Sequence, residues 1–298
     1  MPSFDPTQPP ARRLTRLGIV LDAATPDETG RLARLCDRAG IDAVWIADRS
    51  GLAGLAGDRA SSSAWTVAAA VGGHLGRARL GVIVDGPRPD PAIEGPASAL
   101  PAEVTVTAAR LDKRESSGPA TRRLGVILDD MAALAAVLDV ADDIVLPGWV
   151  FTDLETAADE VRATAAERGR DPSTLGVAAL LPVSIGRTRA EAEARAEADP
   201  AFERFGHAGD VGIFGTLEEC QDRVIALAHA GVTDLRCLLP VSVDSHDVIA
   251  QLTAITVGTT DVLVPGSLRS PAPAPPEGWG GRSDQPPAER ISGGSRRR

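Results

Sequence analysis

Five aspartates and one arginine that follow hydrophobic runs are the residues whose types and spacing point to chemistry. The aspartates are Asp22, Asp48, Asp85, Asp129 and Asp130. Oxygen ligands gathered on one face of a fold can bind a divalent cation, but aspartate is also a common turn and cap residue. We therefore predict no metal site, and we expect these residues to approach one face of the fold.

Arg49, next to Asp48, admits two interpretations. It can form a structural ion pair with Asp48 or with another nearby aspartate. Alternatively, a cation at a strand end can stabilise negative charge on a bound ligand. We take Arg49 as the candidate catalytic residue and expect Asp48 and Arg49 to contact the ligand.

Asp129 and Asp130 come directly before a predicted helix. A helix N-terminus binds phosphate through its free N–H groups and its dipole, whereas an aspartate there uses its own carboxylate on those groups. Two unit charges about 4 Å apart interact by roughly 4 kcal/mol at an effective dielectric constant near 20. The pair therefore predicts ordinary N-capping, which would exclude a phosphate from this position.

Trp149 follows Pro147-Gly148 after another hydrophobic run, and we expect it to line a ligand pocket.

The histidines are dispersed and have neither a nucleophile beside them nor helical ligand spacing: His74, His207, His229 and His246. The cysteines lack metal-ligand spacing, which predicts reduced thiols: Cys36, Cys220 and Cys237.

Hydrophobic runs alternate with amphipathic stretches, as in a parallel sheet covered by helices. We predict eight strands, at 17–21, 43–47, 79–84, 103–107, 123–128, 143–146, 175–185 and 235–240. This pattern indicates an α/β fold of the (β/α)8 TIM-barrel type. An open doubly wound sheet is the less favoured alternative, because no Gly-x-Gly-x-x-Gly follows the first strand.

Local signals mark where the helices start and stop. Capping boxes of the form Thr-x-x-Glu begin at Thr25, Thr152, Thr188 and Thr216, and such boxes open helices. Glycines at 40, 169 and 231 are typical helix stops. Two more helices are predicted over 61–75 and 130–141.

The segment 85–121 interrupts this pattern. It holds Pro87, Pro89, Pro91, Pro96 and Pro101 in its first half, and a short polar stretch in its second half. Parallel strands need a crossover of about a dozen residues, usually a helix. We therefore predict an abbreviated barrel that lacks one or two outer helices. The apolar surface left exposed would mark the interface of a homodimer or heteromer.

Composition and charge exclude several classes of protein. An apolar fraction of 43% supports a sizeable core, while a formal net charge of −10 argues against nucleic-acid or membrane partners. The chain shows neither a signal peptide nor a membrane span, and its near-exclusive use of Arg over Lys is typical of GC-rich bacterial genomes. We expect a cytoplasmic bacterial protein with a flexible arm (1–13), a barrel (14–265) and a disordered tail (266–298).

Several segments, in their order and spacing, resemble the luciferase-like monooxygenase family. They are Gly40–Asp48, Arg79–Gly81, Gly169–Pro172, Phe214–Glu219 and Ala230–Leu235. The similarity covers roughly residues 16–84 and 122–240.

The resemblance implies an oxidoreductase or monooxygenase that acts on a small organic substrate with FMN or a deazaflavin of the F420 type, whose ring lies at the strand ends. From their positions at such ends, we expect Asp48, Arg49, Gly81 and Trp149 to bind the cofactor, with Arg49 beside the ring. Three features differ from the family: Arg49 replaces a histidine of many deazaflavin-dependent members, Asp129-Asp130 replace a glycine-rich turn, and 85–121 lacks the family's middle portion. They leave an alternative, which is a non-catalytic shortened barrel that has lost the cofactor phosphate site and binds a small ligand or a partner subunit.

Overall fold

The computed structural model describes residues 16–22, 25–47, 64–84, 103–107, 123–199, 202, 211–239 and 247–255. Contacts divide the chain into two units, Met1–Pro265 and Gly266–Arg298, and every described residue belongs to the first. Asp48, Arg49, Asp85 and His207 lie outside the described residues, as do the expected arm and tail. The two connecting segments that are predicted to lack helices, 85–102 and 108–121, also lie outside the described residues.

In the residues that the structure describes, nine parallel strands form the sheet. They are β1 Arg16–Asp22, β2 Ala43–Ala47, β3 Arg79–Val84, β4 Glu103–Thr107, β5 Arg123–Ile127, β6 Asp143–Pro147, β7 Gly176–Ile185, β8 Ile213–Gly215 and β9 Asp234–Leu238. All except β8 close into a ring, because β7 pairs with both β6 and β9, and β9 pairs with β1. The predicted eight-stranded barrel is therefore confirmed. The additional β8, which pairs with the carboxyl end of β7, was not predicted from the sequence.

Helices lie between the strands. They are α1 Pro26–Ala39, α2 Ala64–Gly72, α3 Leu134–Val137 after a 3-10 turn at Met131–Ala133, α4 Leu154–Glu167, α5 Arg189–Glu197, α6 Leu217–His229 and a last helix, α7, at 247–255. Thr25, Thr188 and Thr216 cap α1, α5 and α6 as predicted. The glycines at 40, 169 and 231 have positive φ angles of 85°, 76° and 87°, which suits a helix stop.

Two helix predictions were wrong in detail. The cap of α4 is Asp153, whose carboxylate accepts the Thr156 N–H at 3.0 Å, and not Thr152. The helix predicted over 130–141 is only one short 3-10 turn and one α turn. The chain continues in turns to Ala141, whose N–H donates to the Val137 carbonyl at 2.9 Å. Asp142 then contacts the neighbouring strand: its N–H donates to the Leu124 carbonyl, and its carboxylate accepts the Leu124 N–H, both at 2.8 Å.

The strands carry apolar side chains on both faces. The outer faces pack against the helices, while the inward faces form a second cluster in the barrel interior. In the middle of the interior, the Arg236 guanidinium lies 3.6 Å from the centre of the Trp45 ring. Arg236 is fully buried, and it also donates to Thr105 Oγ1 at 2.7 Å.

Charged residues close the amino-terminal end of the barrel. Arg16, Glu103, Arg123, Asp143 and Asp234 are each the first residue of a ring strand. Arg16 pairs with Glu103, with Asp143 at 3.5 Å and with Asp234 at 3.3 Å, and Arg123 pairs with Asp143 at 2.7 Å. Burial raises the pKa of the Asp234 carboxyl, against the opposing effects of Arg236 and Arg16. This end of the barrel is therefore a structural plug.

Within the ranges that the structure describes, no helix has the length and apolar character needed to cross a membrane.

We predict that Arg236→Met lowers the free energy of unfolding by about 3–5 kcal/mol. Removing the Arg236 guanidinium leaves the buried carboxylate of Asp234, with which it pairs, poorly compensated. Urea denaturation is the measurement. The control is Arg223→Met, which removes an arginine that pairs with Glu155 at the surface at 3.3 Å and should cost less than about 1 kcal/mol. Equal effects of the two variants would contradict a structural role for the buried arginine.

Candidate functional site

The carboxyl ends of the ring strands meet at one mouth of the barrel, where barrels of this type bind their ligands. The interior residues near these ends are Val20, Ala47, Ile83, Ile127 and Leu238. Phe202, Val211 and Phe214 belong to the same apolar cluster. The rings of Phe202 and Phe214 meet edge to face, with centroids 6.3 Å apart. The described side chains near the mouth thus form an apolar, partly aromatic cluster that is buried.

Trp149 lies at this mouth. It is half-buried in the turn that follows β6, and it packs against the interior cluster. The turn is held by a 3.0 Å hydrogen bond from the Gly148 N–H to the Leu180 carbonyl. A side chain at Gly148 would overlap the Val211 carbonyl, so only glycine permits this approach. The position suits the expected role of Trp149 in a ligand pocket, which stays a prediction.

Gly81 lies lower, beside Trp45. A Cβ at Gly81 would overlap the six-membered ring of the Trp45 indole, and one at Gly18 would approach Trp45 Nε1 to 2.8 Å. Glycine at these positions therefore makes room for the indole. The predicted contact between Gly81 and a cofactor is untested, but packing alone accounts for the residue type.

Asp130 is an N-cap, as the sequence predicted. Its carboxylate accepts the Ala132 N–H at 3.0 Å at the start of the 3-10 turn. Asp129 and Asp130 are both exposed. Because a carboxylate already occupies this terminus, a phosphate does not fit there.

The other helices whose starts are described repeat this arrangement. The caps Thr25, Asp153, Thr188 and Thr216 accept backbone N–H groups of α1, α4, α5 and α6, respectively, at 3.0–3.3 Å. Each of these helices also has an acidic residue in its first turn. The helix starts therefore carry negative charge and satisfied donors, which disfavour a phosphate.

Hydrogen bonds keep three of these carboxylates ionised. The Thr156 backbone N–H lowers the pKa of Asp153, the Arg187 N–H lowers that of Glu191, and the Thr216 N–H lowers that of Glu219. Glu219 and Thr216 form a reciprocal capping box. These groups thus stay negative well below neutral pH.

Ser184 and Arg236 were missed by the sequence analysis. Ser184 is the single polar residue of β7, Arg236 lies in β9 two residues after Asp234, and both are fully buried. A polar residue within an apolar strand was the signal that the sequence offered for both sites, because such a residue needs a partner when it points into the interior. Neither residue is close in sequence to the five aspartates that follow the predicted strands.

Among the described residues, neither the cysteines nor the acidic side chains form a reactive centre. The three cysteines are free and buried, and burial raises the pKa of Cys36 and Cys220 to about 12, so these thiols are unreactive at neutral pH. In the part of the chain that the structure covers, no group of three or more His, Cys, Asp or Glu is arranged to hold a metal ion.

Comparisons with known proteins define the class of fold. No protein-family model and no curated protein matches the sequence. Solved structures do match, each covering nearly the whole of the other chain. The coenzyme F420-dependent tetrahydromethanopterin reductase of Methanopyrus kandleri has a TM-score of 0.61 at 15% identity, covering 82% of this chain and 99% of that one.

Two further structures have different reported activities. An F420-dependent secondary alcohol dehydrogenase has a TM-score of 0.58 at 15% identity, covering 81% of this chain and 98% of that one. A long-chain alkane monooxygenase has a TM-score of 0.59 at 11% identity, covering 84% and 92%. The luciferase-like resemblance is confirmed as a likeness of fold.

We predict that Gly81→Ala destabilises the ligand-free protein by about 1–3 kcal/mol, because the new methyl group overpacks the barrel against Trp45. Urea denaturation tests this. Gly73→Ala is the matched control, since a Cβ there has no heavy atom within 4 Å. In a Trp45→Leu background, the Gly81→Ala change should lower the free energy of unfolding by less than it does beside Trp45. A Gly81→Ala effect as small as that of the control would show that packing does not require the glycine.

Proposed function

We propose that the protein is a flavin- or deazaflavin-dependent oxidoreductase or monooxygenase that acts on a small organic substrate. The observation that carries this proposal is the apolar, aromatic mouth above a filled barrel interior, in a fold shared with F420-dependent enzymes and a monooxygenase. A planar ring buries well against such a surface. The filled interior below leaves the mouth as the place for the ring.

The residues present fit the ring of this coenzyme better than they fit its phosphate. Near the strand ends, Trp149 and Phe214 are aromatic, and Ile83 and Leu238 are aliphatic; a ring that packs there would meet apolar side chains. When bound, the coenzyme would supply the hydride or oxygen chemistry, while these side chains orient the ring and exclude water. The described helix starts carry their own carboxylate caps or acidic first turns and do not suit a phosphate.

Asp48 and Arg49 follow β2 in the chain and are proposed to reach the same ligand. A guanidinium beside the ring would stabilise negative charge on the reduced coenzyme. Asp48 would then set the position of Arg49 through an ion pair. This part of the proposal rests on chain position alone.

A second candidate function is a non-catalytic barrel that binds a small ligand or a partner subunit. The self-capped helix starts favour it, because they remove sites at which a barrel commonly holds a cofactor phosphate. In this case, the protein would need no redox cofactor. The two candidates differ in whether a flavin ring binds at all.

We predict saturable binding of FMN, riboflavin or F420, and we expect FMN to bind no more tightly than riboflavin, because the ring provides the affinity. Quenching of flavin fluorescence and a shifted absorbance spectrum would measure it. Trp149→Leu should weaken binding about tenfold, roughly the 1.4 kcal/mol of one aromatic contact. The control is Trp65→Leu, on the outer face of the barrel. If no ring binds at high micromolar concentration, the enzyme proposal fails and the second candidate stands.

We also propose that the protein forms a homodimer or heteromer, as expected from the interrupted segment 85–121. Light scattering of the purified chain should give at least twice the mass of 30.8 kDa, or a partner should co-purify in fixed ratio. A monomeric mass at every concentration, with no partner, would refute this expectation.

A further inference from the structure

Ser184 lies on the inward face of β7, close to the mouth. Alternate residues of this strand point to opposite sides: Ala178 and Leu180 belong to the interior cluster, whereas Val183 and Ile185 belong to the outer one. Ser184 therefore shares the interior side. Its register partner on β8 is Phe214, which is also an interior residue.

The height of Ser184 in the barrel places it above the filled interior. The last register pair between β7 and β9 is Pro182 with Leu238, and Ser184 comes two residues later on β7. At about 3.3 Å per residue, it stands roughly 6–7 Å beyond that pair, toward the mouth. It is thus level with the aromatic side chains and not with the charged plug.

The Ser184 hydroxyl is buried and forms no hydrogen bond with any described residue. The residue is 0% exposed, and its Oγ has no hydrogen-bond partner among the described residues. A buried hydroxyl in this state is less favourable than the methyl group of alanine, because it has lost its water and gained nothing. The hydroxyl therefore has no structural function that the described residues explain.

Three other buried polar atoms without a hydrogen-bond partner among the described residues belong to the lower part of the barrel, and a fourth, Gln251 Oε1, lies on α7. Glu103 Oε2 and Asp234 Oδ1 are part of the charged plug, and Trp45 Nε1 faces Gly18 in the middle of the interior. Among these atoms, Ser184 Oγ is the one on the strand segment that reaches the mouth.

We propose that the Ser184 hydroxyl is a specificity-determining group that hydrogen-bonds the polar edge of a ring bound at the mouth. This inference rests on the proposed function for the location of the ligand, and it narrows the ligand class. The preferred ligand is an uncharged planar heteroaromatic ring with a carbonyl or ring nitrogen at its edge. The Phe202–Phe214 pair offers the adjoining surface for such a ring, and a hydrocarbon ring would leave the hydroxyl unpaired.

The decisive variant is Ser184→Ala. We expect its dissociation constant for lumichrome, a flavin ring without ribityl chain or phosphate, to rise about tenfold, which equals roughly 1.4 kcal/mol and thus one hydrogen bond. Its affinity for naphthalene, a planar ring without a polar edge, should stay unchanged. Without ligand, its melting temperature should stay the same or rise by about 2–4 °C.

Two further variants serve as controls, and lumichrome and naphthalene fluorescence is the readout. Ser184→Thr keeps the hydroxyl and should bind lumichrome more tightly than Ser184→Ala does. Thr253→Ala removes a hydroxyl that donates to the Ile249 carbonyl at 2.9 Å, away from the barrel interior, and should not affect binding.

The outcomes separate this inference from the proposed function. If wild-type protein binds lumichrome and Ser184→Ala binds it equally well, the inference is wrong while the ring site stands. A melting temperature lowered by Ser184→Ala would also overturn it, since the hydroxyl would then be structural. If the wild-type protein binds no flavin ring, both proposals fail.

Discussion

The stacking of Arg236 on Trp45 is the interaction on which the rest of the barrel depends. A guanidinium 3.6 Å from an indole ring fills the middle of the interior, and this arrangement requires glycine where the neighbouring strands pass the indole, at Gly18 and Gly81. The buried charge in turn requires the acids of the plug below it. The indole thus accounts for the glycines beside it, and the cation above it pairs with Asp234 of the plug at 3.4 Å.

A filled interior divides the barrel into two ends with different tasks. The amino-terminal end is closed by ion pairs among residues that begin the strands, and its contribution is stability. The carboxyl-terminal end is apolar in its described part, with Trp149 and Phe214 near the strand ends. A ligand that cannot enter the interior must lie across this mouth, and a flat ring matches such a surface better than a branched or charged group does.

The residues that stabilise the helices also influence which ligands are favoured. Thr and Asp caps and first-turn acids satisfy the N–H groups at the starts of α1, α4, α5 and α6. The same groups are the usual binding site for a phosphate. Local helix stability has therefore been obtained where other barrels keep free donors. This links a departure from the luciferase-like pattern, seen at Asp129-Asp130, to a property shared by several helices.

The sequence by itself determined the ring strands and most helix starts, because these depend on neighbours in the chain. Thr216 and Glu219 lie three residues apart, and β7 is apolar at every position except Ser184. The tertiary structure alone decided the environments of Arg236, Gly81 and Ser184. Arg236 meets Thr105 across 131 residues, Gly81 is explained by Trp45 on another strand, and Ser184 faces the interior only because the sheet closes into a ring. Contacts of this kind carry no periodic signal, since ring closure and not sequence distance brings the partners together.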